Sequence, residues 1–250
     1  MDQGVVEIRG FEVMKTTKWP KKIAPLTPEE QSISDDFMNH WLTVLPGKYG
    51  VVEKFNHGFP ASIRPDGFFR TMEIGAGRCE HLHYENLTAA QRREYYAVEF
   101  RSNIADAVRK KFPDIQVVEA DCQQRMDFAD GYFDRILAIH VLEHLPNLPA
   151  ALEEAHRLLN PSKGVLVFVI PCIGGLLYRF AQSISAARIF KKRYGRPYSW
   201  FIDREHINPP KDVFIEIEKL FTISKRSYFP SFLPLLHSNV CIGAVARPKK

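Results

Sequence analysis

The sequence predicts an α/β fold in which helices cover both faces of a doubly wound, seven-stranded, mainly parallel sheet with an antiparallel last strand. Short apolar segments alternate with helix-like segments from residue 68 to residue 170, which is typical of parallel strands joined by crossover helices. Residues 165–170 are apolar without interruption, as in a strand covered on both faces. The last two apolar segments have no helix-like segment between them, so we expect this pair to run antiparallel.

The N-terminal region precedes this alternation. Residues 1–27 have the character of irregular chain, and a helix, or a broken pair of helices, is predicted from Thr27 towards Leu45. Thr27 can cap that helix, and the proline that follows it suits the first helical position. Pro46 and the glycine after it are expected to end the helix, and residues 49–66 are predicted to form loop and turn.

The elements of the predicted core follow in chain order. The strands are predicted at 68–74, 95–100, 115–120, 133–139, 165–170, 222–228 and 240–246. The helices between and after them are predicted at 88–93, 102–112, 148–159 and 211–221.

Composition and length limit the class of protein. The chain has 250 residues, of which 45% are hydrophobic and 25% charged, so we expect one folded domain and exclude a disordered chain. We divide it into an N-terminal helical cap (1–66), a core (67–171 and 209–250) and an insertion (172–208). The four cysteines are far apart, the N-terminus has no apolar run of the length that a signal peptide needs, and the longest apolar run, 165–178, is too short to span a membrane. We therefore expect a soluble, cytoplasmic protein without a disulfide framework or a structural zinc site.

Acidic residues and glycines mark the ends of the first three predicted strands. Gly75 and Gly77 follow the first strand, where glycine allows a sharp turn and a close approach of a ligand to the backbone. Glu80 stands where a dinucleotide fingerprint has its third glycine, and its charge would repel a pyrophosphate. Glu99 and Asp121 end the next two strands, where carboxylates can accept from ribose hydroxyls and from an adenine amine. The pattern favours a nucleoside without pyrophosphate, such as S-adenosylmethionine.

Residues 71–171 resemble a class I S-adenosylmethionine-dependent methyltransferase, with a Rossmann-like sheet, and are most similar to the type 11 group. The matching segments are TMEIGAG (71–77), AVEF (97–100), VVEAD (117–121), FADGYFDRILAIHVLEHL (128–145) and ALEEAHRLLNPSKGVLVFVIP (151–171). The third glycine that the family usually has in the first turn is Cys79 in this chain.

The resemblance implies a role for nine residues at the cofactor. It implies that Glu73, Gly75 and Gly77 shape the methionine pocket and that Glu99 holds the ribose. Phe100 would flank the adenine, and Asp121 and Cys122 would meet the base. His140 and Val141 would line the side of the methyl donor.

Two short features of the sequence raise the possibility of other chemistries, a zinc site and a cysteine nucleophile. The run His140-Val-Leu-Glu-His144 matches a zinc protease signature, but that chemistry needs both histidines on one helical face. Here the run starts where a strand ends, and Pro146 leaves barely one turn, so we expect no metal and a structural role for Glu143 and His144. Cys172, at the tip of the fifth strand, could be a nucleophile, although a free cysteine is more often a small buried side chain.

The insertion is where we expect the methyl acceptor to bind. Four apolar positions are spaced for one helix face: Leu177, Phe180, Ile184 and Ala187. The rest of the insertion interleaves six cations with four aromatic residues and contains no acid before Asp203. Such a surface suits a phosphate-bearing glycan, a nucleotide-sugar or single-stranded RNA, or else belongs to a lid that covers the cofactor.

These observations predict direct methyl transfer to a small polar acceptor, more specifically O-methylation of a sugar or glycan precursor. An alcohol acceptor needs a base, for which His206 is the first candidate because acidic residues precede it, followed by His57 and His140. An RNA methyltransferase and a non-catalytic module that keeps the fold are the alternatives. Steep salt dependence of copurifying RNA would favour the former, and failure to bind the cofactor would favour the latter.

Overall fold

The central sheet has seven strands in the order β3-β2-β1-β4-β5-β7-β6 in a computed structural model that describes residues 18–48 and 50–250. The strands are β1 (Thr71–Ile74), β2 (Tyr95–Glu99), β3 (Gln116–Glu119), β4 (Arg135–Ile139), β5 (Val165–Pro171), β6 (Phe221–Pro230) and β7 (Asn239–Pro248). The first five are parallel, and β7 lies between β5 and β6 and runs antiparallel to both. The predicted fold class is confirmed, including the antiparallel last strand.

Helices flank this sheet and extend beyond its carboxyl edge. They are α1 (Pro28–Lys48), α2 (Gly50–Ser62), α3 (Ala89–Arg93), α4 (Ser102–Lys111), α5 (Leu148–Leu158), α6 (Leu176–Ile184), α7 (Ala186–Tyr194), α8 (Ser199–Glu205) and α9 (Pro210–Leu220). Two short 3₁₀ helices occupy Glu80–His83 and Leu236–Ser238. In the described part of the chain, no helix is long and apolar enough to cross a membrane.

The N-terminal helices differ from the prediction. Thr27 caps α1 as expected, since its hydroxyl accepts from Glu30 N at 3.3 Å while the Glu30 carboxylate accepts from Thr27 N at 3.0 Å. The helix continues to Lys48, past its predicted end, and the segment predicted as loop forms α2 instead. Packing explains α2: Phe59 lies on β7, so close to Gly243 that a Cβ there would be 2.5 Å from the Phe59 ring. Tertiary burial thus outweighs the turn-forming residues of this segment. The predicted irregular structure of residues 1–17 lies outside the described residues.

The insertion forms a small core of its own with α1. Phe37 from α1 is buried against Phe190 of α7 and Phe201 of α8, with ring centroids 4.9 and 5.0 Å apart. Arg193 of α7 donates to both carboxylate oxygens of Asp36, at 2.9 and 3.0 Å. The predicted single apolar helix face is wrong, because the helix breaks after Ile184 and two of its four apolar positions are exposed. The N-terminal helix and the insertion therefore form one layer above the sheet.

Candidate functional site

The loop after β1 is anchored at the point where β1 lies between β2 and β4. Gly75 has a φ of 61°, and a Cβ added to it would lie 2.5 Å from Cγ2 of Val141, which follows β4. Ala76 N donates to Val98 O at 3.0 Å, and Gly77 N donates to the Glu99 carboxylate, also at 3.0 Å. The structure therefore brings the predicted residues Gly75, Gly77, Glu99 and Val141 to one place, at the switch point of the sheet.

Cys79 shows why glycine is usual at its position. Its φ of 55° and ψ of 41° lie in the left-handed region, which costs a residue with a side chain about 1–2 kcal/mol. The thiol is completely buried beside Tyr95 and Leu82, and burial raises its pKa far above the ordinary thiol value. Cys79 therefore keeps the left-handed shape of the turn at a cost in backbone energy, and its buried side chain adds packing that a glycine would lack.

Glu99 is buried at the end of β2 and already accepts several hydrogen bonds. Besides Gly77 N, it accepts from Arg101 N at 3.0 Å and from Arg101 Nε at 2.8 Å. Burial opposes its ionisation, but the hydrogen bonds from Arg101 and Gly77 lower the pKa of Glu99, so it is a carboxylate at neutral pH. A carboxylate has about four acceptor positions, so a ribose diol must displace the Arg101 side chain to form two bonds. That side chain is half exposed.

Glu73 faces the opposite side of the sheet from Met72 and Ile74. It accepts from the Tyr95 hydroxyl at 2.7 Å, inside the layer beneath α4. Burial raises the pKa of Glu73 to about 8, so the group is mainly protonated at neutral pH. It can influence the methionine pocket through the position of β1, and a cationic ammonium group brought near it would favour the ionised form.

The residues predicted to meet the adenine lie at the ends of β2 and β3. Phe100 is 71% exposed, and its ring is available as a stacking surface. Asp121 accepts from Gln123 N at 2.9 Å and from Gln123 Nε2 at 3.0 Å, both through Oδ1. No bond to its Oδ2 occurs among the described residues, so this oxygen can accept from an amine. Cys122 is buried in the main core, and only its backbone could contact a base.

These features fit S-adenosylmethionine. A Cβ at Gly77 would meet no atom of the described residues within 4 Å, so the backbone there borders open space. The ends of the neighbouring strands β2 and β3 carry a buried carboxylate, an exposed aromatic ring and a carboxylate oxygen without a bond to the described residues, groups that suit an adenosyl moiety. Glu99, Phe100 and Asp121 would hold the nucleoside, with Gly77 beneath it.

The loop after β4 is held by a residue that the sequence analysis did not identify. Asn208 is completely buried, and its amide donates to Leu142 O and Leu145 O, both at 2.8 Å. Its backbone N–H donates to Glu143 O at 2.9 Å. His140 begins the loop with a φ of 52°. The predicted role of Glu143 and His144 in pinning this loop therefore falls mainly to Asn208.

Glu143 forms the centre of a buried polar cluster. Its side chain has no exposed surface, and its Oε1 lies 3.1 Å from His140 Nδ1. Its Oε2 has no hydrogen-bond partner among the described residues. Burial opposes ionisation, but the hydrogen bond from His140 and the nearby imidazoles lower the pKa of Glu143. A buried carboxylate with an unsatisfied oxygen stabilises a proton or a cation placed beside it.

His144 and His206 meet beside Glu143, with ring centroids 5.0 Å apart. His144 Nδ1 lies 2.7 Å from Glu205 O, and because a carbonyl only accepts, Nδ1 carries a proton; in the neutral imidazole Nε2 then has the lone pair. That Nε2 is 3.8 Å from Glu143 Oε1. His206 Nδ1 is bonded to the Tyr178 hydroxyl at 3.0 Å, and burial lowers the pKa of His206 to about 4.

Ligand atoms of Glu143, His144 and His206 all lie within 4.8 Å of one another, a spacing that a metal ion could draw together. The arrangement differs from that of the zinc protease signature, because His140 directly follows β4 and the residues after it form turns rather than a helix. The expectation that no metal binds stays a prediction.

Two predicted residues have surroundings that alter their assignment. His57 is buried in α2, where it contacts Glu53 at 3.1 Å and stacks on Tyr84 rather than on His144 or His206. Cys172 has no exposed surface, and burial raises the pKa of its thiol to about 12, so the nucleophile hypothesis is wrong. All four cysteines are free and buried, as expected for packing residues.

A cavity of about 170 Å³ opens next to this cluster. Its walls come from the N-terminal segment, from α1 and α8 and from the loop after β4: Ile23, Leu26, Ser34, His144, Trp200, Phe201, Arg204 and Glu205. A second cavity of about 450 Å³ shares Trp200 and Arg204 with it and adds Lys22, Ser199 and Asp203. Trp200 and Arg204 of α8 are functional candidates that the sequence did not indicate, and His144 was expected to have only a structural role, since only the fold places α8 beside the loop after β4.

Comparison with known proteins agrees with this site. A family model described as a methyltransferase domain matches residues 72–168, the region that carries the loop after β1 and the acidic strand ends. The chain contains a class I methyltransferase domain. S-adenosylmethionine is the cofactor of this domain type, and the predicted family, fold and cofactor are confirmed.

One relative matches a short part of the chain in sequence, and others match most of it in structure. Sterol 4-C-methyltransferase strm-1 of Caenorhabditis elegans is 40% identical over 53 residues, which are 21% of this chain and only 16% of that protein. A TehB-like methyltransferase of Corynebacterium glutamicum has a similar structure, with a TM-score of 0.55 and 16% identity over 88% of this chain and 100% of that one. The trans-methyltransferase CalH, solved with SAH, has a TM-score of 0.51 and 18% identity over 86% of this chain and 64% of that one. At such identities the structural likeness establishes the fold.

Proposed function

We propose that the chain is a methyltransferase that transfers the methyl group of S-adenosylmethionine to a hydroxyl oxygen of a small polar acceptor, a sugar or glycan precursor. The observation that carries the proposal is a histidine with a free lone pair on the wall of a cavity. His144 lines the cavity beside α8, and its tautomer is set by the hydrogen bond from Nδ1 to Glu205 O at 2.7 Å. An acceptor hydroxyl in that cavity would find a proton acceptor.

In this proposal His144 removes the hydroxyl proton, and the Glu143 carboxylate stabilises the imidazolium that forms. The proton goes to Nε2 of His144, and the imidazolium then lies with Nε2 3.8 Å from the buried Glu143 carboxylate. When bound, S-adenosylmethionine supplies a methyl group on a sulfonium, an activated carbon for in-line displacement. Gly75, Val141 and the loop pinned by Asn208 hold the acceptor side at a fixed position, which is the main requirement of such a transfer.

His206 takes a supporting position in this proposal rather than the role of first base. Burial raises the pKa of Tyr178 well above its ordinary value, so the phenol keeps its proton and can donate to His206 Nδ1 at 3.0 Å. The pKa of His206 near 4 makes it a weak base, because a good base has a pKa close to the working pH. His206 therefore orients and packs against His144.

The cavity walls support a sugar as the acceptor. Trp200 and Phe201 offer apolar ring surface, and Arg204 and Glu205 offer a donor and an acceptor at the same cavity. The adjoining cavity adds the cation of Lys22, which suits a phosphate on the same acceptor. An aromatic surface with a few converging polar groups is typical of sites for small polar ligands.

The structure gives less support to RNA as the acceptor. Tyr194 and Tyr198 of the insertion pack around Phe37, so they are not presented for base stacking. Arg193 is paired with Asp36, and Arg196 lies within 3.4 Å of Glu30. Acids of α1 thus neutralise part of the basic surface that suggested RNA.

The test is turnover of His144→Gln with labelled S-adenosylmethionine and a panel of sugars and nucleotide-sugars. We expect kcat to fall by about a hundredfold or more while cofactor affinity measured by calorimetry stays unchanged. His156→Gln, on the far exposed end of α5, is the matched control and should turn over normally. Wild-type turnover of His144→Gln would refute the base assignment, and methylation of RNA but of no sugar would refute the acceptor class.

A further inference from the structure

An exposed apolar surface lies on α6 and on the loop between β6 and β7. Leu176, Phe180 and Ile184 follow one another at four-residue intervals along α6, on one face of the helix, and the first two are 65% and 60% exposed. The loop adds Phe232, which is 76% exposed, with Leu233 and Leu235. We call these six residues the apolar surface. Exposed groups of this size generally mark an interaction site.

The two segments form one continuous surface. Gly175, at the start of α6, is so close to the loop that a Cβ added to it would lie 2.5 Å from Leu236 O. The short helix Leu236–Ser238 that follows the loop packs against α6. The side chains of both segments are therefore presented together.

Hydrogen bonds from a buried side chain hold the loop in the conformation that exposes its apolar residues. Asn239 is completely buried, and its amide donates to Leu233 O at 2.8 Å and to Leu235 O at 2.7 Å. Its Oδ1 accepts from Ser231 N at 3.0 Å. Phe232 adopts a φ of 59°, in the left-handed region. The backbone groups of the loop are thus satisfied from inside, which an apolar environment outside would require.

The segments that carry the apolar surface contain basic residues and no acid of their own. Residues 155–202, which contain α6 and α7, include no acid, and neither do residues 219–250, which contain the loop. Arg179, Arg188, Lys191 and Lys192 are exposed on α6 and α7, and none of them forms an ion pair with another described residue. A second copy of this surface would repel it, whereas an anionic surface would attract it.

We propose that the apolar surface and these four cations dock the protein onto a membrane that contains anionic phospholipid. The apolar side chains enter the region between headgroups and acyl chains, and the cations lie against the lipid phosphates. Since α6 also carries Tyr178, which bonds to His206, docking would hold the cavity beside His144 near the membrane. The docking does not depend on the identity of the methyl acceptor.

The test is flotation of the full chain with phosphatidylcholine vesicles, with or without about one third phosphatidylserine. We expect binding to the anionic vesicles alone, weakened by salt, and a loss of about tenfold or more in Phe180→Ser/Phe232→Ser. Lys191→Glu/Lys192→Glu should weaken binding to anionic vesicles as well. Ile215→Ser, an exposed apolar residue of α9 outside the apolar surface, is the control and should bind like the wild type.

Three outcomes would overturn the proposal. One is the absence of binding to anionic vesicles by wild-type protein. Another is wild-type binding by Phe180→Ser/Phe232→Ser, with folding of the variant checked by circular dichroism and its cofactor affinity by calorimetry. The third is a stable dimer in light scattering that the same variant dissociates, which would assign the apolar surface to contact between copies.

Discussion

The contact between Gly75 and Val141 gives a prediction that can be worked out in free energy. Alanine at position 75 would keep a φ of 61°, at a cost of about 1–2 kcal/mol. Its Cβ would lie 2.5 Å from Val141 Cγ2 and 3.1 Å from Cγ1, and such overpacking adds about 1–3 kcal/mol. We expect Gly75→Ala to lower the free energy of unfolding by about 2–5 kcal/mol.

Removing the valine methyl groups should recover part of this loss. In a Val141→Ala background the nearest remaining atom is the Cβ of residue 141, at 3.4 Å, an ordinary contact. Gly75→Ala should then cost only the left-handed backbone term, about 1–2 kcal/mol. The coupling energy of the double-mutant cycle is therefore expected to be about 1–3 kcal/mol.

The assay is urea unfolding of the four proteins of the cycle, followed by circular dichroism, with cofactor affinity measured by calorimetry alongside. Gly77→Ala is the matched control, since its φ is 54° and a Cβ there meets nothing within 4 Å. It should show the backbone cost and no coupling to Val141→Ala. Additive effects of Gly75→Ala and Val141→Ala, to within about 0.5 kcal/mol, would refute the contact between the two loops.

Two further predictions concern the acids of this site. Because the folded-state pKa of Glu73 is raised to about 8, its unfavourable contribution grows as the pH rises from the ordinary carboxyl value of 4.5 to 8. Wild-type stability should lose up to about 1.4 kcal/mol per pH unit from this group in that range, and Glu73→Gln should remove that slope in urea unfolding at a series of pH values. Glu99→Gln should weaken cofactor binding by about tenfold or more in calorimetry, whereas Arg101→Ala should strengthen it, because Arg101 occupies the carboxylate that the ribose needs.

Each of these has an outcome that contradicts it. Parallel stability profiles for the wild type and Glu73→Gln would mean that Glu73 is ionised in the folded protein. Unchanged cofactor affinity in Glu99→Gln would remove the ribose assignment. Weaker binding in Arg101→Ala would show that Arg101 contacts the cofactor instead of competing with it.

Much of the sheet could be predicted from local sequence. Most core strands are short apolar segments, and α4, α5 and α9 each have an apolar face. The helix α3 begins at a recognisable cap, Thr88, whose side chain accepts from Gln91 N. The glycines and acids lie at the ends of those strands, and parallel strands bring their carboxyl ends to one edge. The alternation of strands and helices therefore predicts that the residues assigned to the cofactor lie at one edge of the sheet, and their roles stay predictions.

The helices outside the sheet were less predictable, because packing decides them. The α2 segment contains two glycines and a proline and would not be expected to form an isolated helix, but burial of Phe59 on β7 stabilises it. The insertion breaks after Ile184, since Ala186 and Phe190 turn inward to Phe37. No local pattern reveals that the partner of a helix lies about 150 residues away.

The sequence by itself determined the fold class, the glycine turn and the acidic strand ends, because these depend on periodicity and on residue type at fixed positions. Only the tertiary structure decided which histidine faces a cavity. His144 is distant in the chain from Trp200 and Glu205 of α8, and its contact with them depends on how α8 folds back over the loop after β4. Proton transfer depends on distances of a few ångströms, and such distances are set by long-range packing rather than by local sequence.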